Sequence, residues 1–201
     1  MDRQLAGPWL RAIATTALFV FGFGVRAQED MMQPARKEIT VKRESGEFRM
    51  SATPRTPDQM AAFYIGRRFP QHVVEETRKL CFVTVGVRNR TREVVWLEPE
   101  RWRFITGTGE VRRLSREQWR QRLDTIGVPP AVRTTLTWTQ LPDERDLQPN
   151  ENVGANAAIP PLKGEFTLEA RFATGVDRHG PELVVTIPGL SCPGREAEGK
   201  R

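Results

Sequence analysis

Histidine is nearly missing from this 201-residue chain, His72 and His179 being the only two. Neither stands at helix or hairpin spacing from another His or from a Cys. The three or four convergent ligands of a zinc centre are therefore not in the sequence, and no cofactor is expected. The two cysteines, Cys81 and Cys192, do not form the Cys-x-x-Cys arrangement that depresses a thiol pKa, which argues against redox chemistry. A phosphate loop is missing too: Gly107-Thr108-Gly109 lies between two strand-like segments, with no helix start to hold an anion, and reads as a hairpin turn. No nucleophile is paired with a base, so an enzyme is not expected. The chain has no internal repeat and no low-complexity block. Met31-Met32 offers two thioethers, but two adjacent methionines in a polar entry segment read as incidental.

Lysine is scarce, at five of the 31 basic residues, and the rest are arginine. Guanidinium forks pair bidentately with phosphate and carboxylate. These arginines are scattered rather than gathered into a basic stripe, so nucleic acid is not an expected partner. Charge is uneven along the chain: residues 65–92 hold seven basic against two acidic side chains, and residues 143–182 hold four against eight. Such asymmetry can steer association with an acidic surface.

What the sequence does have begins at its N-terminus. Arg3 and Arg11 precede an apolar run over residues 12–25, and Val25-Arg26-Ala27 ends in a small residue, the pattern of a secretory leader. The run carries Gly22 and Gly24 and falls short of the ~20 residues of a spanning helix. No later apolar run follows, so no stable membrane span is expected once the leader is removed. The expected organisation is a signal peptide over 1–27, a flexible segment over 28–36, one domain over 37–192 and a disordered tail over 193–201. The formal charge of +6 falls to +4 without the leader, where Arg3, Arg11 and Arg26 stand against Asp2. Export places the chain in the periplasm or outside the cell, where an even cysteine pair closes on itself. A Cys81–Cys192 disulfide is therefore expected. The length of the mature part suits a single core.

Residues 38–43 and 47–52 alternate apolar and polar side chains and read as strands. Thr56, Pro57 and Gln59 form a capping box and start a helix, with Met60, Phe63, Tyr64 and Arg67 on one side; a second short helix begins at Pro70. Residues 80–89 form a central strand with Cys81, Val83, Val85 and Val87 on one face. The spacing then predicts a turn over 89–92 and a return strand over 93–97 as the partner of a hairpin. Strands follow over 101–106 and 110–114. Ser115 and Gln118 cap a helix lined by Trp119, Leu123 and Ile126 and stopped by Gly127. Val128-Pro129-Pro130 leads into a turn or short helix, and residues 136–141 read as a strand with Leu136, Trp138 and Gln140 facing one way. The loop 142–149 is acidic. Residues 152–159 form a small-residue strand, 166–173 the cleanest half-buried strand, and 182–187 its return.

The run from Cys81 to Thr91, then Val94-Val95-Trp96-Leu97-Glu98-Pro99 and residues 102–111, resembles immunoglobulin-like domains of bacterial exported proteins. Leu190 stands two residues before Cys192, where immunoglobulin domains proper carry a tyrosine. The resemblance implies a mainly β, antiparallel immunoglobulin-like sandwich, here with short helical insertions, and it brings no active site with it. Such domains mostly serve as binding, scaffolding or accessory modules.

Trp96, Trp102, Trp119 and Trp138 alternate with aliphatic residues and are expected in the core rather than on a sugar-binding platform. Asn89-Arg90-Thr91 fits the glycosylation acceptor spacing. The basic cluster of Arg112, Arg113, Arg116 and Arg120 supplies the candidate contacts to an anionic ligand. Together these features predict an exported, non-enzymatic interaction or accessory module of the cell envelope, with an envelope protein as partner. The alternative is a binding protein for an anionic or carbohydrate ligand, such as an anionic glycopolymer.

Overall fold

The computed structural model describes residues 35–194; the leader, Met31-Met32 and most of the expected tail lie outside the described residues. The described chain is a two-sheet antiparallel sandwich with four short helices. In the first sheet, β1 (Lys37–Arg43), β2 (Gly46–Arg55), β3 (Cys81–Thr91) and β8 (Asn152–Ile159) stand in the order β1-β2-β3-β8. Gly46 closes the β1–β2 turn at φ 129, where a Cβ would lie 2.3 Å from the Arg90 carbonyl oxygen, so no other residue fits.

The second sheet centres on β9 (Glu165–Thr174), with β10 (Gly180–Ser191) along one side. On its other side lie β4 (Val95–Leu97), paired onward to β7 (Arg145–Leu147), and β5 (Arg103–Thr106), paired onward to β6 (Gly109–Val111). The expected hairpin over 80–97 is therefore corrected: β3 continues to Thr91, and residues 93–97 cross to the other sheet, where β4 pairs with β9 and β7. The cause is Asn89, a residue whose type favours turns but which here holds the crossing. It is wholly buried, and its Nδ2 donates to the carbonyls of Glu93 at 2.8 Å and Leu147 at 3.0 Å while its Oδ1 accepts from Thr91 N at 3.0 Å. The same burial leaves the glycosylation-spaced Asn89 side chain inaccessible in the folded chain.

Alternation on the facing strands puts Phe48, Met50, Val83, Val85, Leu168 and Phe172 between the sheets, with the rings of Phe48 and Phe172 edge-on at 4.8 Å. Cys81 and Cys192 are bonded, with an S–S distance of 2.09 Å, and link the start of β3 to the residue after β10 across the two sheets.

A second core corrects the expectation of one. Helices α1 (Pro57–Ile65) and α2 (Gln71–Arg78) precede β3, and α3 (Arg116–Thr125) and α4 (Pro130–Trp138) follow β6. Both capping boxes form, Thr56 with Gln59 and Ser115 with Gln118. The two insertions meet on the outer face of the first sheet. There Met60, Tyr64, Val73, Trp119, Leu123 and Leu136 bury Phe82 and Ala158, the outward residues that β3 and β8 place side by side.

Residues 136–141 are not a strand. α4 runs through Trp138, because Pro129-Pro130 opens a helix and Thr134, Thr135 and Thr137 turn their hydroxyls back to the carbonyls of Pro130, Ala131 and Arg133. That back-bonding lets a threonine-rich stretch with strand propensity stay helical. Within the acidic loop 142–149, β7 buries Leu147.

Candidate functional site

Two of the four candidate arginines meet in a cleft between α3 and α4. Arg116 and Arg120 from α3 face Arg133, Thr134 and Trp138 from α4 across a cavity of about 550 Å³. Arg120 pairs with Glu117 at 2.6 Å, and those hydrogen bonds hold the Glu117 carboxyl below its ordinary pKa. Arg133 pairs with Asp124. Arg116 forms no ion pair among the described residues, and its Nε is buried without a hydrogen-bond partner.

The other two candidates are elsewhere. Arg113 is 4% exposed, with Nη2 2.6 Å from Asp143 and 3.4 Å from Glu100, so it joins chain segments and is closed to a ligand. Arg112 is exposed, lies 3.8 Å from Glu110 and donates to the Glu100 carbonyl, outside the cleft. Asp143 also accepts from the backbone N of Arg116 at 3.2 Å, which fixes the start of α3 against the cleft wall.

Trp138 departs from the core position expected of the tryptophans. Trp102 and Trp119 are fully buried, as expected, and Trp96 is half-buried beneath the Arg178 guanidinium, 3.9 Å from its ring centroid. Trp138 is 77% exposed. It forms the ridge between the α3–α4 cleft and a second cavity of about 560 Å³ that holds Arg55, Phe63, Arg67, Thr84 and Asn156. The signal was present in the helical period: Val132 and Leu136, four apart, take the inward face of α4, and Trp138 falls on the opposite side.

The segment behind Trp138 is rigidly tied. The Tyr64 hydroxyl lies 3.1 Å from Thr139 Oγ1 and accepts from Gln140 Nε2 at 2.9 Å; burial pushes its pKa up to about 12. Asn156 N donates to the Thr139 carbonyl at 3.0 Å, and Leu141 N donates to the Asn156 carbonyl at 2.9 Å. The indole thus projects from a pre-organised base.

His72 and His179 are exposed and line neither cavity. Among the described residues no three His, Cys, Asp or Glu side chains converge as metal ligands, and no helix is long and apolar enough to cross a membrane. In comparisons with known proteins the chain matches no protein-family model, no curated protein and no solved structure.

Proposed function

We propose that this chain is an exported, non-enzymatic interaction module of the cell envelope, an immunoglobulin-like sandwich whose helical cap carries the contact surface. The observation that carries this reading is the 77% exposure of Trp138 on a pinned helix end beside Arg116, Arg120 and Arg133. Tryptophan and arginine dominate the energetic centres of protein interfaces, and an indole held in place before binding loses little entropy on docking. The partner is an envelope protein with an acidic contact surface, which suits the unpaired guanidinium of Arg116. Export is supported by the leader pattern together with the Cys81–Cys192 bond.

Capture from envelope extract by the mature chain tests the proposal, with Trp138→Ala and Arg116→Gln run in parallel. A partner retained by the parent, lost with Trp138→Ala and weakened with Arg116→Gln is the expected result. Identical capture by all three proteins, or turnover of a small substrate by the purified chain, overturns it.

A further inference from the structure

The outer face of the first sheet carries a second site, on the other side of the Trp138 ridge from the α3–α4 cleft. Strand register stacks its outward residues in rows running across the strands: Thr53-Thr84-Asn156, then Ser51-Gly86-Gly154, then Arg49-Arg88-Asn152. Between Ser51 and Gly154 the middle row has almost no side chains, and it ends on β1 at Glu38, whose carboxylate is paired with Arg36 at 2.6 Å, so the face is scored by a groove at right angles to the strands, with a cavity of about 240 Å³ over it.

Neither middle-row glycine is explained by its own conformation, since neither has a positive φ. At Gly154 an added Cβ would meet nothing nearer than a carbonyl at 3.8 Å, so packing does not demand glycine there either. Gly86 makes room for Ser51 Oγ, which would lie 2.9 Å from a Cβ there, whereas Gly154 is a strand glycine with no such demand, a feature of places where something else approaches the backbone closely.

Two buried polar side chains point into this space with bonding capacity left over. Ser51 is 8% exposed and lines the groove, and its hydroxyl has no hydrogen-bond partner among the described residues. Asn156 is 6% exposed and lines the adjoining cavity, which Gly154 shares. Its orientation is set by a relay: Arg55 Nε donates to Thr84 Oγ1 at 2.9 Å, so the Thr84 proton goes to Asn156 Oδ1 at 2.8 Å. The Asn156 Nδ2 donors are left facing the cavity with no partner among the described residues. On the far wall Arg49 pairs with Glu47 at 2.8 Å, while Arg88, on the central strand, is exposed and forms no ion pair among the described residues.

We propose that this groove binds a linear anionic glycan, with its carboxylate or phosphate groups on Arg88 and Arg49, its hydroxyls on Ser51 and Asn156, and its ring faces over the bare peptide planes at Gly86 and Gly154. A peptide does not fit the same geometry. An extended peptide docks along a sheet edge through its main chain, whereas this groove runs across β2 and β3, whose amides are already used in the ladder, and meets the edge strand β8 only at one end.

The test uses the mature chain and three immobilised probes at low ionic strength: a uronic-acid polymer, a polymer of pyranose sugars bridged by phosphate, and a glutamate-rich peptide of equal charge density. Salt-sensitive retention on one or both anionic polymers, with the anion named by which of them binds, and with weaker retention on the peptide, is the expected outcome. Gly154→Val, whose Cβ would meet nothing nearer than a carbonyl at 3.8 Å, and Arg88→Gln each lower that affinity about tenfold. The probes are polymers and contain no envelope protein, so failure here is separable from failure of the cap interface. An unchanged thermal unfolding curve certifies that Gly154→Val is folded; Arg88→Gln, exposed and unpaired, gives the same reading without touching the floor. Flow-through on both polymers, equal retention on the peptide, or full affinity in both groove variants overturns the proposal.

Discussion

Asn89 Nδ2 donates to the Leu147 carbonyl at 3.0 Å, so one buried amide at the end of β3 bonds the first sheet to a strand of the second. Its Oδ1 is used as fully, accepting from both the backbone and the hydroxyl of Thr91. Asn89→Ala strips partners from buried backbone groups on both sides of the crossing and is expected to cost about 3 kcal/mol. Asn89→Asp does worse, because a carboxylate would face three carbonyl oxygens. Urea unfolding of the two variants checks the order; a loss under ~0.5 kcal/mol for the alanine would show that water replaces the amide.

Tyr64 is the one tyrosine in the chain, so a phenolate titration reads it alone. Burial raises its folded pKa to about 12, against ~10 in an unfolded chain. The folded state therefore holds its proton more tightly, and the contribution to stability is complete below pH ~10 and lost as pH climbs towards 12. The change is about 3 kcal/mol at most. Near-ultraviolet absorbance should show the phenolate appearing close to pH 12 in the native protein and near pH 10 in denaturant. Coincident midpoints would place Tyr64 in water.

The Cys81–Cys192 bond spans 111 residues. Chain-entropy arguments allow a loop of that length at most ~5 kcal/mol of stabilisation. Unreduced native protein is expected to resist alkylation at both positions, and the Cys81→Ser/Cys192→Ser double variant to unfold at lower denaturant with a smaller midpoint. Ready labelling of both thiols before reduction would contradict the bond.

Arg113 and Arg112 are neighbours with opposite expectations. Arg113→Met removes a buried guanidinium from Asp143, whose carboxylate is partly exposed and can turn to water, so about 1–3 kcal/mol should be lost. Arg112→Ala, at an exposed side chain, should fall within ~0.5 kcal/mol of the parent. Equal effects in denaturant melts would mean that Arg113 does not hold the α3 start to the segment at Asp143.

The sheets were legible wherever one face is apolar and the other polar: β2, β3 and β9 alternate cleanly, and both capping boxes announced their helices. What escaped was partner choice. The segment at 93–97 has the composition of a returning strand, and nothing local says that its neighbour is β9 rather than β3; that decision rests with the Asn89 side chain and its distant carbonyls. In α4 the threonines carry strand propensity, which hid the four-residue spacing of Val132 and Leu136 and with it the exposure of Trp138. Of the candidate arginines, Arg116 and Arg120 lie on α3, as the helical period after Ser115 predicts. Arg113 could not be, since its partner Asp143 comes thirty residues later, in another loop.

The cap has no floor of its own. Its two helix pairs enter from separate stretches of sequence and rest on Phe82 and Ala158, which become neighbours only when β3 and β8 pair. Assembly of the cap must therefore wait for that distant pairing, and its helices should be the last to gain amide-exchange protection and the first to lose it. A chain cut short before Asn152 lacks β8 and with it half of that floor, so the fixed ridge at Trp138 is expected only once the whole sandwich has formed.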